Sequence, residues 1–398
     1  MSDTNGQTSI WGSYISTCPQ TALRSELVLI HLLSLWEGSW EDGAQKFDVE
    51  NDMAYDPKKI HKVTHKGKFY KMDAYHPTHP SPQRTPVIFQ AGASKAGMAF
   101  AGKHAEALFV AGPNPAVVKK QVQTVRAEAD AQGRDGSKIK FFVGILPVIG
   151  KTVEEAQAKY KQALNDAHAV GGMARFSRFT NLDLSQYPPD EPFAFKGEQS
   201  EASIHGTINN IKAVLGLHDD EPWTPRRLGA QMSFGGTGST PVGTPAMVAD
   251  VFEMWMNEAD IDGFNVMRRK PNLLEKSLAN SYTEYLSPTS YEDVVELLVP
   301  ELQRRGIYWN DYAVPGGNLR ENMFAEKGAS SVAPDHPAYK FKWNVREDNW
   351  PSAWDLRANK LEAAQKVVAE MTNDAEKTEK TEVKESAVVV NGSSQKTS

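Results

Sequence analysis

The chain has 398 residues, of which 40% are hydrophobic and 24% charged, with a formal net charge of −6. This is the composition of a globular protein, and an acidic balance without a long basic stripe argues against a nucleic-acid binder. A single cysteine, Cys18, excludes an intrachain disulfide framework and fits a reducing compartment.

Residues Met1 to Ile10 are polar and lack the basic and apolar segments of a signal peptide. No window approaches the roughly 18 consecutive apolar residues of a membrane helix. A cytoplasmic location is therefore expected. The apolar run Leu27 to Trp36, free of glycine and proline, predicts a buried helix that ends at Glu37-Gly38-Ser39-Trp40. Residues 41–85 are polar and proline-rich and predict a long irregular excursion with short strands.

The stretch Pro86-Val-Ile-Phe-Gln-Ala-Gly-Ala-Ser-Lys-Ala-Gly97 followed by Ala107-Leu-Phe-Val110 predicts strand, tight loop, helix and strand. Gly92, Ala93 and Ser94 then stand at the carboxyl end of a strand and the mouth of a helix. Unpaired N–H groups and the positive end of the helix dipole favour a phosphate there. Small side chains allow close backbone approach, and the Ser94 hydroxyl is both a donor and a helix cap. Strand–glycine–helix turns that bind nothing are also common.

A helix is predicted from Pro115 to Gln132 with Gly133 as its stop, then a fully buried strand over Ile139 to Ile149. Thr152 and Glu155 form a capping-box pattern for a helix to about Ala169. Gly171-Gly172, Pro188-Pro189 and Gly235-Gly236 mark loops in residues 170–240, with a helix around Ile208 to Leu217. Thr244 is a predicted N-cap with Pro245 at N1. Val248, Val251, Phe252 and Trp255 then share one helix face. Gly263 to Met267 is a further strand, and Ser290 to Arg305 a helix kinked near Pro300 and stopped by Gly306. From Met371 the chain is polar and charged and is expected to be disordered. Alternating buried strands and helices imply an α/β fold with a parallel sheet, and periodicity alone suits either an open sheet or a closed barrel.

Several motifs resemble one family. They are Leu35-Trp36-Glu-Gly-Ser-Trp40, Val87-Ile-Phe-Gln-Ala-Gly-Ala-Ser94, His104-Ala-Glu-Ala107, Val242-Gly-Thr-Pro245, Asp262-Gly-Phe-Asn-Val-Met267 and Leu298-Val-Pro-Glu-Leu-Gln-Arg-Arg-Gly306. In this order and spacing they resemble the flavin-dependent monooxygenase branch of the bacterial-luciferase-like superfamily. That branch includes nitrilotriacetate monooxygenase component A, dibenzothiophene sulfone monooxygenase and long-chain alkane monooxygenase.

The resemblance implies a TIM-type (β/α)8 barrel over residues 27–319 with an insertion at about 170–240. On this reading residues 1–26 are a shortened N-terminal segment, 320–370 an extension and 371–398 a disordered tail. It implies FMN, reduced by a separate flavin reductase, that activates O₂ to oxygenate a small organic substrate, in a homo-oligomer. The cofactor carries the hard chemistry while the protein orients it and excludes water. The family's phosphate loop falls on Gly92, Ala93 and Ser94. Members have several strand–helix units before the Leu-Trp-Glu-Gly-Ser-Trp motif, whereas 34 residues precede Leu35 here. A βα unit takes about 30 residues. The barrel is therefore expected to be incomplete at its first strands, with Ile10 to Ser16 as a remnant of the strand before the helix. A non-catalytic subunit that pairs with a complete homologue is the alternative, and a different barrel enzyme acting on a phosphorylated substrate is a third.

The pairs His61/His65 and His76/His79 lie in a polar loop without acidic ligands and read as surface histidines rather than a zinc site. His104 is expected to meet the dipole at a helix C-terminus. Trp36, Trp40 and Trp255 read as packing residues, with Trp40 within possible reach of a flavin. No metal site is expected.

Overall fold

The structure, a computed structural model, describes residues 19–67, 69–91, 94–180, 182–193, 204–205, 208–209, 222–234, 238–267, 288–347, 362 and 365–366. Ile10 to Ser16, Cys18, most of the predicted 208–217 helix and the tail from Met371 lie outside these residues. The chain divides into two compact units, residues 1–26 with 86–337, and residues 27–85 with 338–398.

Helix α1 (Pro19–Gly38) begins a full two turns before the apolar run, with Pro19 at the position where a missing N–H costs nothing. Two antiparallel hairpins follow in the 27–85 unit, β1 (Gln45–Asp48) with β2 (Met53–Tyr55) and β3 (Val63–Lys66) with β4 (Lys71–Ala74). The Leu-Trp-Glu-Gly-Ser-Trp motif holds this excursion together. Buried Glu37 accepts from the Thr85 N–H at 3.0 Å, and its carbonyl accepts from the Trp343 N–H at 3.0 Å. The Ser39 hydroxyl donates to the His61 carbonyl at 2.9 Å and accepts from the His76 N–H at 3.0 Å. The Trp40 indole donates to the His76 carbonyl at 3.1 Å and packs with Ala44, Ile60 and Tyr75. Trp40 is thus a packing residue.

The larger unit is built on four parallel strands in the order β5 (Phe89–Ala91), β6 (Ala107–Val110), β7 (Lys140–Ile145) and β10 (Gly263–Val266). Helices α2 (Lys95–His104) and α3 (Pro115–Ala131) return the chain between the first three strands. Pro147 interrupts the predicted 139–149 strand. Beyond it β8 (Val148–Ile149) pairs in parallel with β9 (Val242–Gly243). Helices α4 (Val153–Asn165), α5 (Ala169–Thr180), α6 (Pro225–Phe234) and α7 (Pro245–Ala259) complete the path to β10.

Because strand order follows sequence order and such crossovers are right-handed, all the covering helices fall on one face of the sheet. There Leu108, Val110, Phe141, Val143 and Ile145 pack against Val118, Val122 and Val125 of α3 and Val248, Phe252 and Trp255 of α7. The opposite face is open: Phe89 is 39% exposed and Phe109 41%. No closed barrel forms among the described residues.

Stops and caps follow the sequence closely. Gly133 and Gly306 take φ +77° and +73°, and the paired bonds Arg134 N–H to Ala129 O and Ile307 N–H to Leu302 O close both helix ends. Thr244 caps α7 and Thr152 caps α4, although Glu155 reaches the Lys151 N–H rather than that of Thr152. The last predicted helix runs as α8 (Pro288–Asp293), a π turn over Val294–Leu298, and α9 (Val299–Arg304). Pro300 has no N–H to give, and the extra residue in the turn before it accommodates that loss.

Gly171-Gly172 is a correction: both glycines lie inside α5 rather than in a loop. A side chain at Gly172 would stand 1.7 Å from the Gly229 carbonyl oxygen of α6, so the glycines permit two helices to touch backbone to backbone.

At the amino ends of the strands a buried charge cluster anchors helix α10 (Leu319–Phe324). The Arg320 guanidinium holds Glu106 through both carboxylate oxygens, at 2.7 and 3.0 Å, and Glu106 also accepts from the Ile88 N–H at 3.1 Å. Arg134 donates to the carbonyls of Gly102 and Ala105 at 2.7 and 3.0 Å, and His336 Nε2 lies 2.8 Å from the His104 carbonyl oxygen. These two side chains satisfy the end of α2. The expectation for His104 is corrected: burial pushes its imidazole down to about 4, Glu26 only partly opposing, so at neutral pH it has no charge to offer the dipole.

Two predictions follow from this cluster. Arg320→Met leaves Glu106 buried and unpaired and is expected to cost ~3–5 kcal/mol in urea unfolding, with Glu106→Leu/Arg320→Met recovering much of the loss. His104 binds its proton near 6.5 when unfolded and near 4 when folded, so the unfolded chain holds more protons between those values. Stability therefore falls as pH drops through that window, by about 3 kcal/mol in all. His336, also lowered by burial, acts with the same sign. Unfolding curves at pH 4.5 and 7.5 should differ less for His104→Gln than for the unaltered chain.

Candidate functional site

Parallel strands direct their carboxyl ends, and the amino ends of the following helices, to one edge of the sheet. On that edge Ala91 closes β5 and Ser94 opens α2. Gly92 and Ala93, the other two predicted site residues, lie outside the described residues. Ser94 has extended backbone angles, φ −72° and ψ 154°, and its Oγ accepts from the Gly97 N–H at 3.1 Å. This bond uses an oxygen lone pair and leaves the hydroxyl proton to donate. The amides of Lys95 and Ala96 belong to the first helical turn, where no preceding carbonyl can take them. The Lys95 side chain is exposed beside them. Hydroxyl, two amides and an ammonium form a donor set suited to a dianion.

The neighbouring loop repeats the geometry. Asn114 caps α3 through its side chain, accepting from the Val117 N–H at 3.0 Å, and Pro115 occupies N1. A side chain at Gly112 would meet Val118 at 2.9 Å, so the chain after β6 lies tight against α3.

Next to this edge, the open face of the sheet carries three phenylalanines. Phe89 and Phe109 stack with ring centroids 5.2 Å apart, and Phe142 stands 6.0 and 6.3 Å from them. Sequence reasoning did not single them out. The signal was present, because Phe89, Phe109 and Phe142 occupy alternate strand positions opposite buried neighbours such as Leu108 and Phe141. A separate cavity of about 370 Å³ at the end of β8 is lined by Lys159, Ser290, Glu292, Asp293 and Glu296. The Lys159 ammonium is held there by Asp293 at 2.9 Å and by Glu155 at 2.9 Å. Its remaining charge is carboxylate, the wrong sign for a phosphate.

The histidine pairs do not assemble a metal site. His61 Nε2 meets Glu41 at 2.7 Å, and the His65 ring packs edge-on against His31 at 4.1 Å. No group of three metal-ligating side chains exists among the described residues. Nor is any described helix long and apolar enough to cross a membrane.

Comparison with known proteins shows the family. Residues 33–260, more than half of the chain, match the family described as luciferase-like monooxygenase. The chain is 37% identical over 308 residues to the long-chain alkane monooxygenase of Geobacillus thermodenitrificans (strain NG80-2), covering 77% of this chain and 60% of that one. The crystal structure of DmoA from Hyphomicrobium sulfonivorans is similar with a TM-score of 0.69 at 32% identity, over 83% of this chain and 64% of that one. Riboflavin lyase RcaE, solved with modified FMN and its substrate riboflavin, is similar with a TM-score of 0.61 at 29% identity, over 81% and 65%. The chain spans 60% of the length of the alkane monooxygenase it matches. The motifs, the singly wound parallel sheet and these matches agree: the chain belongs to the luciferase-like monooxygenase family.

Proposed function

We propose that this chain acts in a reduced-FMN-dependent monooxygenase that uses O₂ on a small organic substrate, with reduced flavin supplied by a separate reductase. The observation that carries the reading is Ser94, capping α2 with a proton still to donate, at the carboxyl edge of a parallel sheet in a chain of this family. Ser94, with Gly92 and Ala93 before it, would hold the FMN phosphate. The Lys95 and Ala96 amides and the Lys95 ammonium add donors, and the helix dipole favours the negative charge.

The Phe89–Phe109–Phe142 face offers an apolar surface beside the phosphate, the environment that keeps water from a reactive site. Reduced flavin, when bound, supplies the activation of O₂. The protein's own part is to fix the phosphate, orient the ring system and exclude water. The substrate class is left at a small organic molecule. The crystal structure containing modified FMN supports FMN as the flavin, in that protein's case with riboflavin as substrate.

Two substitutions separate capping from phosphate binding. Ser94→Ala removes the hydroxyl donor and is expected to raise the Kd for FMN about five- to tenfold, ~1 kcal/mol or slightly more. Ser94→Asp keeps an excellent N-cap yet sets a carboxylate against the phosphate. It is expected to unfold like the unaltered chain and to show no saturable FMN binding by flavin fluorescence. Unchanged affinity in both variants would remove Ser94 from the site. Oxygen uptake with reduced FMN and a flavin reductase then tests the activity itself.

A further inference from the structure

The 27–85 unit brings together two histidines that the flavin chemistry does not use. His31 lies in the middle of α1 and is 9% exposed. Its ring meets that of His65 on β3 edge-on, with centroids 4.1 Å apart, and the Tyr70 ring stands 5.8 Å from it. His31 Nδ1 contacts the Leu27 carbonyl, which can only accept, so this nitrogen carries the hydrogen. A second proton on His31 must therefore go to Nε2, which is shut from solvent and has no partner among the described residues. His65 is confined as well, since a side chain at Gly67 would stand 2.5 Å from its Nε2.

The contact sits at the end of a lever. At its base the β3–β4 hairpin is bound to the end of α1. There the Ser39 hydroxyl donates to the His61 carbonyl and accepts from the His76 N–H, and the Trp40 indole donates to the His76 carbonyl. From Ser39 back to His31 is about 12 Å of helix, and from His61 out to His65 about 14 Å of strand. The hairpin therefore lies along α1, hinged near Ser39 and resting on His31 near its turn. By register Val63, His65, Met72 and Ala74 share one face, and the 1% exposure of Val63 marks it as the packed one. Thr64, Lys66, Lys71 and Asp73 take the other face, where Asp73 receives Lys62 and the Thr64 hydroxyl. On α1, Glu26 is engaged by Lys103 and His104, and Glu37 by Thr85. Tyr70 is uncharged in the range where histidines titrate. Among the described residues no carboxylate is paired with either imidazole.

We propose that His31 and His65 form an acid-sensitive latch, which holds the β3–β4 hairpin against α1 while the pair carries at most one proton and releases it when both rings are charged. A neutral pair packs as two aromatic rings edge to face, and a single charge meets no other. Two imidazolium ions at 4.1 Å repel, in a place where solvent screens them poorly. Burial, with the His31 charge adding to it, holds docked His65 below its ordinary value of 6.5, so the released hairpin binds more protons. Docking therefore weakens as the pH falls below 6.5, while the bonds to Ser39 keep the base in place.

Hydrogen exchange of the full 398-residue chain tests this, read by mass spectrometry at pH 7.5 and 5.0 and corrected for the intrinsic change in rate. Protection of β3 and β4 is expected to fall roughly tenfold or more at the lower pH, with β6 and β7 falling less. His31→Gln and His65→Gln each remove one charge and are expected to abolish the extra loss. His65→Phe keeps an aromatic ring that binds no proton, and serves where glutamine disturbs the packing. A second measurement follows the histidine ring signals by NMR, where His31→Gln should move the His65 midpoint upward. The proposal is overturned by equal loss in all four strands, by a hairpin that stays protected at pH 5.0, or by the same fall in His31→Gln and His65→Phe. A His65 midpoint indifferent to His31 overturns it equally.

Discussion

The larger unit depends on one carboxylate. Glu106 begins the turn into β6, where its N–H and carbonyl bond to Ile88 and Lys140, so its backbone joins three strands. Its side chain adds the Ile88 amide and the Arg320 guanidinium. Two charges taken out of water tolerate only a geometry that satisfies both, and the two-pronged contact with Arg320 provides it. The amino edge of the sheet is thereby fixed by a helix more than 200 residues away in sequence. Rigidity at this edge sets the position of the opposite one, where Ser94 and Asn114 open their helices. A division between a stabilising amino end and a ligand-binding carboxyl end is the usual arrangement in parallel α/β folds.

Much of this was legible in the sequence, for local reasons. Caps and stops are written in one or two residues, so Thr244-Pro245, Gly133 and Gly306 were found in place. The strands at 107–110 and 263–266 are short apolar runs with turn residues on both sides. The misses share a different cause. Gly171-Gly172 looks like a loop until α6 is known to press against it, and the Ile139–Ile149 run looks continuous unless Pro147 is given priority. His104 is buried beside Glu26 and His336, which no local pattern connects to it. The open aromatic face was missed because alternation is faint when the positions between the phenylalanines are also apolar.

The motifs that carried the family resemblance divide by role once their contacts are known. Val87 to Ser94 leads to the candidate site. Leu35 to Trp40 organises its own hairpins through Glu37, Ser39 and Trp40. His104-Ala-Glu-Ala107 belongs to the charge cluster at the amino edge. A recurrent motif can therefore record a folding constraint as readily as a chemical one, and only the first of these three stands beside a donor set for an anion.

The hydrogen bond from the Trp343 N–H to the Glu37 carbonyl has a consequence for how the chain is made. Domains tend to fold as units during synthesis, N-terminal parts first, at about 5–20 residues per second. The unit containing Glu37 cannot do so, because its last partner leaves the ribosome about 300 residues later, roughly 15–60 s after Glu37 itself at those rates. Strands β5, β6 and β7, joined by short crossovers, can pair in the interval, while β10 and Arg320 arrive later. Vectorial synthesis thus leaves the segment around Glu37 as an unfinished partner until Trp343 has been made.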